Sequence, residues 1–139
     1  MNEVSINAIR AKTNTPVAFT NLNKKQIEKS NLGQDLPFLI SSTPSVVTTS
    51  DAGAGIGYTG FRIRGTDPSR INVTINGIPL NDSESQGVWW VNMPDFASSL
   101  DNIQIQRGVG TSTNGAAAFG ASINLQTIVL NTKAYAITN

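Results

Sequence analysis

The chain has 139 residues, 14% of them charged and 39% apolar, with 10 Lys+Arg against 9 Asp+Glu and a formal net charge of +1. That is about one domain's length, with no basic excess to attract nucleic acid. Neither Cys nor His occurs, which excludes disulfides, thiol nucleophiles, thiolate or imidazole metal sites, and the side chain most used for proton transfer near neutral pH.

The charged fraction lies well below the roughly 25% of ordinary soluble domains. Asn, Ser and Thr take its place, so the surface is expected to be polar but uncharged. No stretch approaches the ~18 apolar residues of a membrane-spanning helix. No basic-then-apolar leader is recognisable, so a signal peptide is expected to be absent from these residues.

Residues 3–8 alternate, with Val4 and Ile6 on one face of an extended segment. Residues 9–15 read as a linker, and Val17–Thr20 as a short strand. Asn23 is placed to cap a helix over Lys24–Lys29 that turns Ile27 inward. After Gly33, a second helix is expected behind Asp35. There Pro37 suits a first turn, and Leu36, Leu39 and Ile40 share a face until Pro44. Val46–Thr49 favours strand, and Asp51–Gly60 reads as a flexible, glycine-rich loop. Phe61–Gly65 alternates strictly, with Phe61 and Ile63 on one side and Arg62 and Arg64 on the other. Ile71–Ile75 alternates again with its Ile and Val inward. Asn76-Gly77 follows, a strong hairpin turn, and Pro79 confines the return strand to an edge.

Asn81–Gly87 is a polar loop and Val88–Val91 the most apolar knot of the chain. Pro94–Leu100 suits a short helix with Phe96 and Leu100 one turn apart. Ile103–Arg107 and Ser122–Gln126 alternate as strands, separated by a small, turn-like segment over Thr111–Phe119. Tyr135 and Ile137 sit in a final extended stub. Short strands with few short helices predict an α+β (mixed α/β) domain, a small mixed sheet with long loops.

Several local patterns bear on chemistry. Gly55-Ile-Gly57-Tyr-Thr-Gly60 matches the letters of a dinucleotide fingerprint, but a strand follows it where a helix N-terminus is needed. Asn81, Asp82, Ser83, Glu84 and Ser85 form an oxygen-rich cluster without the spacing of a calcium loop, and read as a solvated loop. No carboxylate pair stands where burial would tune its pKa, so no enzyme, catalytic residue, metal or cofactor is expected. Asn72-Val-Thr74 and Asn81-Asp-Ser83 are chance matches to glycosylation acceptors. Trp89-Trp90 admits two readings: a core ring beside an interfacial one, or an exposed stacking platform. Arg64-Gly65 and Arg107-Gly108 end two alternating strands alike, which suggests a shared acceptor surface. Few carboxylates are at hand within the chain, and Arg suits partly buried carboxylate pairs.

In order along the chain, five segments resemble the plug domain of TonB-dependent outer-membrane receptors. They are Pro16–Thr20, Leu36–Val46, Phe61–Gly65 with Ile71–Pro79, Ile103–Gly108 and Asn114–Leu125. Asn76 stands where Asp is common, Val109 where Pro is usual, and Ala121 where a Gly usually precedes the last strand. The resemblance implies a plug over residues 16–127, preceded by an N-terminal segment (1–15) and followed by a linker and the start of a first barrel strand (128–139). It implies a chain cut from a barrel of about 22 strands whose lumen it blocks in the cell outer membrane.

By the same resemblance, Arg64 and Arg107 would pair with barrel glutamates. Glu3, Val4, Ser5, Ile6, Asn7 and Ala8 would form the TonB box, which adds as a strand to a TonB-type energy-transducing partner. Apical loops near 50–58 and 81–92 would meet a nutrient ligand through Tyr58, Gln86, Trp89 and Trp90. The Gly/Ala segment 114–121 would pack close against other backbone. The implied function is gating and ligand sensing in an active importer, by family frequency of a ferric siderophore or similar large nutrient. The alternative is a free-standing secreted module binding glycans or another ligand.

Overall fold

The computed structural model describes residues 10–110 and 114–129. The expected TonB box at residues 3–8 and the expected barrel-strand start near 134–138 lie outside them. Among the described residues, seven strands and two short helices follow in chain order. They are β1 (Ala18–Asn23), α1 (Lys24–Ser30), α2 (Leu36–Leu39), β2 (Val46–Ser50), β3 (Thr59–Ile63), β4 (Ile71–Ile75), β5 (Ile78–Pro79), β6 (Leu100–Arg107) and β7 (Ala121–Thr127).

Five strands form a mixed sheet in the order β1-β6-β7-β4-β5, and β2 and β3 make a separate antiparallel ribbon. Within the sheet only the β4–β7 pair is parallel. This is the mixed sheet with few short helices that the pattern predicts.

The register explains the core. Side chains alternate faces along a strand, so cross-strand neighbours stack in rows. One row is Leu22, Ile103, Leu125 and Ile75; the next is Thr20, Ile105, Ile123 and Val73. On this face α1 contributes Ile27 and α2 contributes Leu36 and Leu39, with Ile40 following, and the ribbon adds Phe61 and Ile63. Each fully buried aliphatic side chain contributes about 1.5–3 kcal/mol over an exposed one.

The opposite face departs from expectation. Alternation assigns Asn72, Thr74, Gln104, Gln106, Ser122 and Asn124 to water, yet all six are buried. They too stack in rows: Asn21, Gln104, Asn124 and Thr74, then Phe19, Gln106, Ser122 and Asn72. The cover comes from the segment at Arg10–Ala11 and the turn at 114–120. Ala11 donates its N–H to Gln104 Oε1 (2.7 Å), and Gln104 Nε2 donates back to the Ala11 carbonyl (3.0 Å). Asn72 Nδ2 donates to the Ala116 carbonyl (2.9 Å), and Asn114 Nδ2 to Gln106 Oε1 (3.2 Å). Neutral amides suit such a layer because they donate and accept without the desolvation cost of a charge.

Local chemistry accounts for the rest. Asn23 caps α1 through a reciprocal capping box with Gln26. Asn23→Ala is expected to cost about 1 kcal/mol in a denaturant titration. Asn76 and Gly77 both take positive φ (51° and 84°), as a tight two-residue hairpin turn requires. Three expectations need correction. The loop after β2 ends at Tyr58, because Thr59 and Gly60 already pair with β2. Arg64 is not on strand β3: it and Gly65 have φ of 54° and 73°, and two left-handed residues in succession reverse the chain. Residues 96–99 form a 3-10 turn rather than an α-helix, so Ala97 is buried, Phe96 is only partly covered, and Leu100 opens β6.

Candidate functional site

Two loops flank one side of the β2–β3 ribbon. The first, residues 51–58, is closed by the Asp51 N–H to Tyr58 carbonyl bond (3.1 Å). It is tied down at more points than its glycines suggest. The Asp35 N–H donates to the Gly55 carbonyl (2.9 Å), and Gln34 Nε2 donates to the Ala54 carbonyl (3.2 Å). Gly55 has φ +76°, and a Cβ there would meet Gln34 Nε2 at 2.9 Å and Phe38 Cγ at 3.0 Å. Asp35 itself is only 2% exposed, and its carboxylate accepts the Thr59 hydroxyl (2.8 Å). Thus α2 clamps the loop through backbone and side chain together.

The second loop, residues 81–92, is stapled by Asn81. Its Oδ1 accepts the Val73 N–H (2.8 Å), and its Nδ2 donates to the Ile71 (2.9 Å) and Gln86 (2.7 Å) carbonyls. Asp82 Oδ1 accepts the Glu84 and Ser85 N–H groups and the Ser85 hydroxyl. Those bonds, Ser85 first, hold the Asp82 carboxyl below its usual range. The oxygen-rich cluster is therefore a self-bonded loop, and among the described residues no group of three or more Asp/Glu is placed to hold a metal ion.

Between the loops, the ribbon and the 3-10 turn at Pro68–Arg70 lies an open cleft of about 410 Å³. Tyr58 (65% exposed) and Trp89 (55% exposed) line it, above a floor that includes Phe61, Val73 and Trp90. Trp90 is 4% exposed and packs its ring against Phe61 at 5.8 Å between centroids. The two tryptophans thus divide into a core ring and an exposed one, from a loop and 3-10 turn rather than from a strand. Gln86 does not line the cleft: its φ is 57° and its Nε2 donates to the Ser83 carbonyl (3.0 Å).

Asp51 and Asp67 are the charged residues of the lining. Asp67 accepts the Ser69 N–H (3.0 Å) and hydroxyl (2.8 Å) and pairs with Arg62 at 3.5 Å. The Ser69 bonds, with smaller help from Arg62 and Arg70, hold its carboxyl below the usual range.

The two arginine–glycine ends meet elsewhere on the fold. A Cβ on Gly108 (φ +110°) would come 3.1 Å from Arg64 Nη1, so the Arg64 guanidinium lies over the Gly108 backbone. Arg107 Nη1 donates to the Pro44 carbonyl (3.4 Å), while its buried Nε has no partner among the described residues. Neither guanidinium forms an ion pair among the described residues; the pair found there is Arg62–Asp67.

Sequence reasoning missed Asp35, Thr59 and Asn81 as organisers of the loops, and Gln104 as the anchor of the N-terminal segment. Asp35 stands out only as a residue ahead of a helix, and it makes no side-chain cap there. An acid followed by Leu-Pro-Phe-Leu, all but Phe38 deeply buried, was the available hint.

Comparison with known proteins places this geometry in context. The family model described as TonB-dependent Receptor Plug Domain matches residues 11–122. A curated relative, the vitamin B12 transporter BtuB of Vibrio vulnificus (strain YJ016), is 28% identical over 110 residues, covering 79% of this chain and 17% of the relative. Among solved structures, the siderophore receptor PirA from Acinetobacter baumannii superposes with a TM-score of 0.63 at 21% identity, covering 81% of this chain and 17% of that one. The ferric yersiniabactin uptake receptor FyuA from Yersinia pestis gives 0.61 at 13% identity, covering 89% and 19%. The chain therefore spans under a fifth of the length of these relatives.

Proposed function

This chain belongs to the family of TonB-dependent receptor plug domains, and on that premise we propose that it gates and senses ligand for an outer-membrane active transporter of a large nutrient. The family match across residues 11–122 carries the reading. The named relatives handle vitamin B12 and siderophores, so the cargo is not inherited from any one of them. The two stapled loops and the cleft between them form the ligand-contacting surface, with Tyr58 and Trp89 as its aromatic contacts. Trp90 supports that surface from below, and Gln86 supports it by shaping the loop. The segment entering at Arg10 leads to the partner-binding strand, and the TonB-type partner draws on it once ligand has shifted the resting population.

Arg64 and Arg107 lock the plug to acidic groups of the surrounding barrel. The observations that support this are the Arg64 guanidinium lying over Gly108, the residue that follows Arg107, and the absence of an ion-pair partner for either arginine among the described residues. Removing one partner of a buried pair costs about 3–5 kcal/mol. In the full receptor, Arg64→Ala with Arg107→Ala is expected to lower the thermal midpoint and make cells leaky to vancomycin, which is too large for ordinary porins. An unchanged midpoint together with unchanged antibiotic sensitivity would count against the lock.

A further inference from the structure

The cleft between the two loops has a one-sided hydrogen-bonding character. A carboxylate only accepts, so any hydroxyl bonded to one has committed its single hydrogen. Thr59 Oγ1 donates to Asp35 Oδ2 (2.8 Å), Ser69 Oγ to Asp67 Oδ1 (2.8 Å) and Ser85 Oγ to Asp82 Oδ1 (3.0 Å). All three residues line the cleft, and none of the three has a hydroxyl hydrogen free to donate there. Asp51 and Asp67 add carboxylate oxygens, and no Lys, Arg, Asn or Gln stands in the lining. The side-chain donors that remain are the Thr49 hydroxyl and the polar edges of the Tyr58, Trp89 and Trp90 rings.

Two exposed rings bound this acceptor-rich surface, Tyr58 and Trp89. An aromatic face attracts a cation through its quadrupole, most strongly where a carboxylate stands nearby. An anion would meet acceptors and the carboxylate of Asp51, while the nearest cation, Arg62, is already paired with Asp67.

From this the geometry points to a cleft that takes the positively charged, hydrogen-bond-donating end of an organic ligand, an alkylammonium or guanidinium group on an apolar or aromatic scaffold. The inference rests on the ligand-sensing reading of the two loops and narrows it: an anionic metal chelate would not be held at this position.

Calorimetric titration of the full-length protein at neutral pH tests it with three probes of one shape: phenethylammonium, 2-phenylethanol and 3-phenylpropionate. The ammonium probe is expected to bind at least about tenfold more tightly than the carboxylate and several-fold more tightly than the alcohol. Asp51→Asn is expected to weaken the ammonium probe about fivefold, and Trp89→Ala to weaken all three. Asp51 and Trp89 are exposed, so neither variant threatens folding. Equal or tighter binding of the carboxylate, parity between ammonium and alcohol, or insensitivity of ammonium binding to Asp51→Asn would each overturn the inference. Loss of the charge preference alone, with all three probes bound and all weakened by Trp89→Ala, would overturn the inference and leave the ligand-sensing reading standing, whereas no binding of any probe would overturn both.

Discussion

Replacing Gly120 by alanine is expected to destabilise the fold by about 3 kcal/mol, among the larger single-residue effects. The cause is space. A Cβ at Gly120 would lie 2.4 Å from Thr66 Cγ2, 2.5 Å from Thr66 Cβ and 2.6 Å from Thr66 Oγ1. The Thr66 Cβ is fixed to its own backbone, so rotating the side chain gives no relief. The glycine cannot retreat either: its N–H donates to the Arg70 carbonyl (2.9 Å), and its carbonyl accepts the Gly108 N–H (2.8 Å). Gly115→Ala is the control. Nothing lies within 4 Å of a Cβ there, and its φ of +76° leaves only the left-handed penalty of about 1–2 kcal/mol. Denaturant titration separates the two. Adding Thr66→Gly should recover part of the Gly120→Ala loss and none of the Gly115→Ala loss, since only the first pair is in contact. A Gly120→Ala midpoint matching wild type would refute the close-packing account. The same joint ties the turn after Arg64 to the strand end at Gly108, so the variant should also disturb the arginine pair.

Gln104→Met is the second large effect expected, about 2–4 kcal/mol. Methionine fills nearly the same volume, so the loss reports hydrogen bonds rather than a cavity. Gln104 bonds both backbone groups of Ala11, donates to Asn21 Oδ1 (2.8 Å) and accepts from Gln106 Nε2 (3.0 Å). Removing its amide strands those partners in a layer shielded from water. The effect should also be local: the Ala11 amide, buried and hydrogen-bonded to Gln104 in the wild type, should exchange much faster in the variant. Arg10, which donates to Gln126 Oε1 (2.8 Å) and to Asn102 Oδ1, would be left holding the segment alone. Unchanged exchange at Ala11 would mean that Gln104 does not anchor it. In the proposed receptor this is the segment on which the energy-transducing partner draws, so Gln104 stands between that pull and the sheet.

Local chemistry made much of the fold legible. The Asn23 cap, Pro37 early in a short apolar helix and the Asn76-Gly77 turn each act over a few residues, and each stands where expected. The loops were legible as loops, and Tyr58 with one of the two adjacent tryptophans as exposed aromatics, but which tryptophan is buried was not. Their shape was not, because Asp35 reaches Gly55 and Thr59 across 20 and more positions. The place of Gln86 was hidden for a related reason: a polar residue in a polar loop reads as free, whereas its amide bonds the Ser83 carbonyl and it stands outside the cleft lining.

By itself the sequence determined where most of the described strands lie, which of their residues share a face and that the apolar face is built on Ile103, Ile105, Ile123 and Val73. Side-chain alternation is a property of each strand alone. Only the tertiary structure decided the fate of the polar face. Alternation cannot say whether the second side meets water or another piece of chain. Here Ala11 docks onto Gln104 across 93 positions and Ala116 onto Asn72 across 44, turning an apparent solvent face into a second, hydrogen-bonded interior. That also explains the low charge and abundance of Asn, Ser and Thr: part of the neutral polar content is a buried layer, where amides and hydroxyls bond one another and charges would go unpaired.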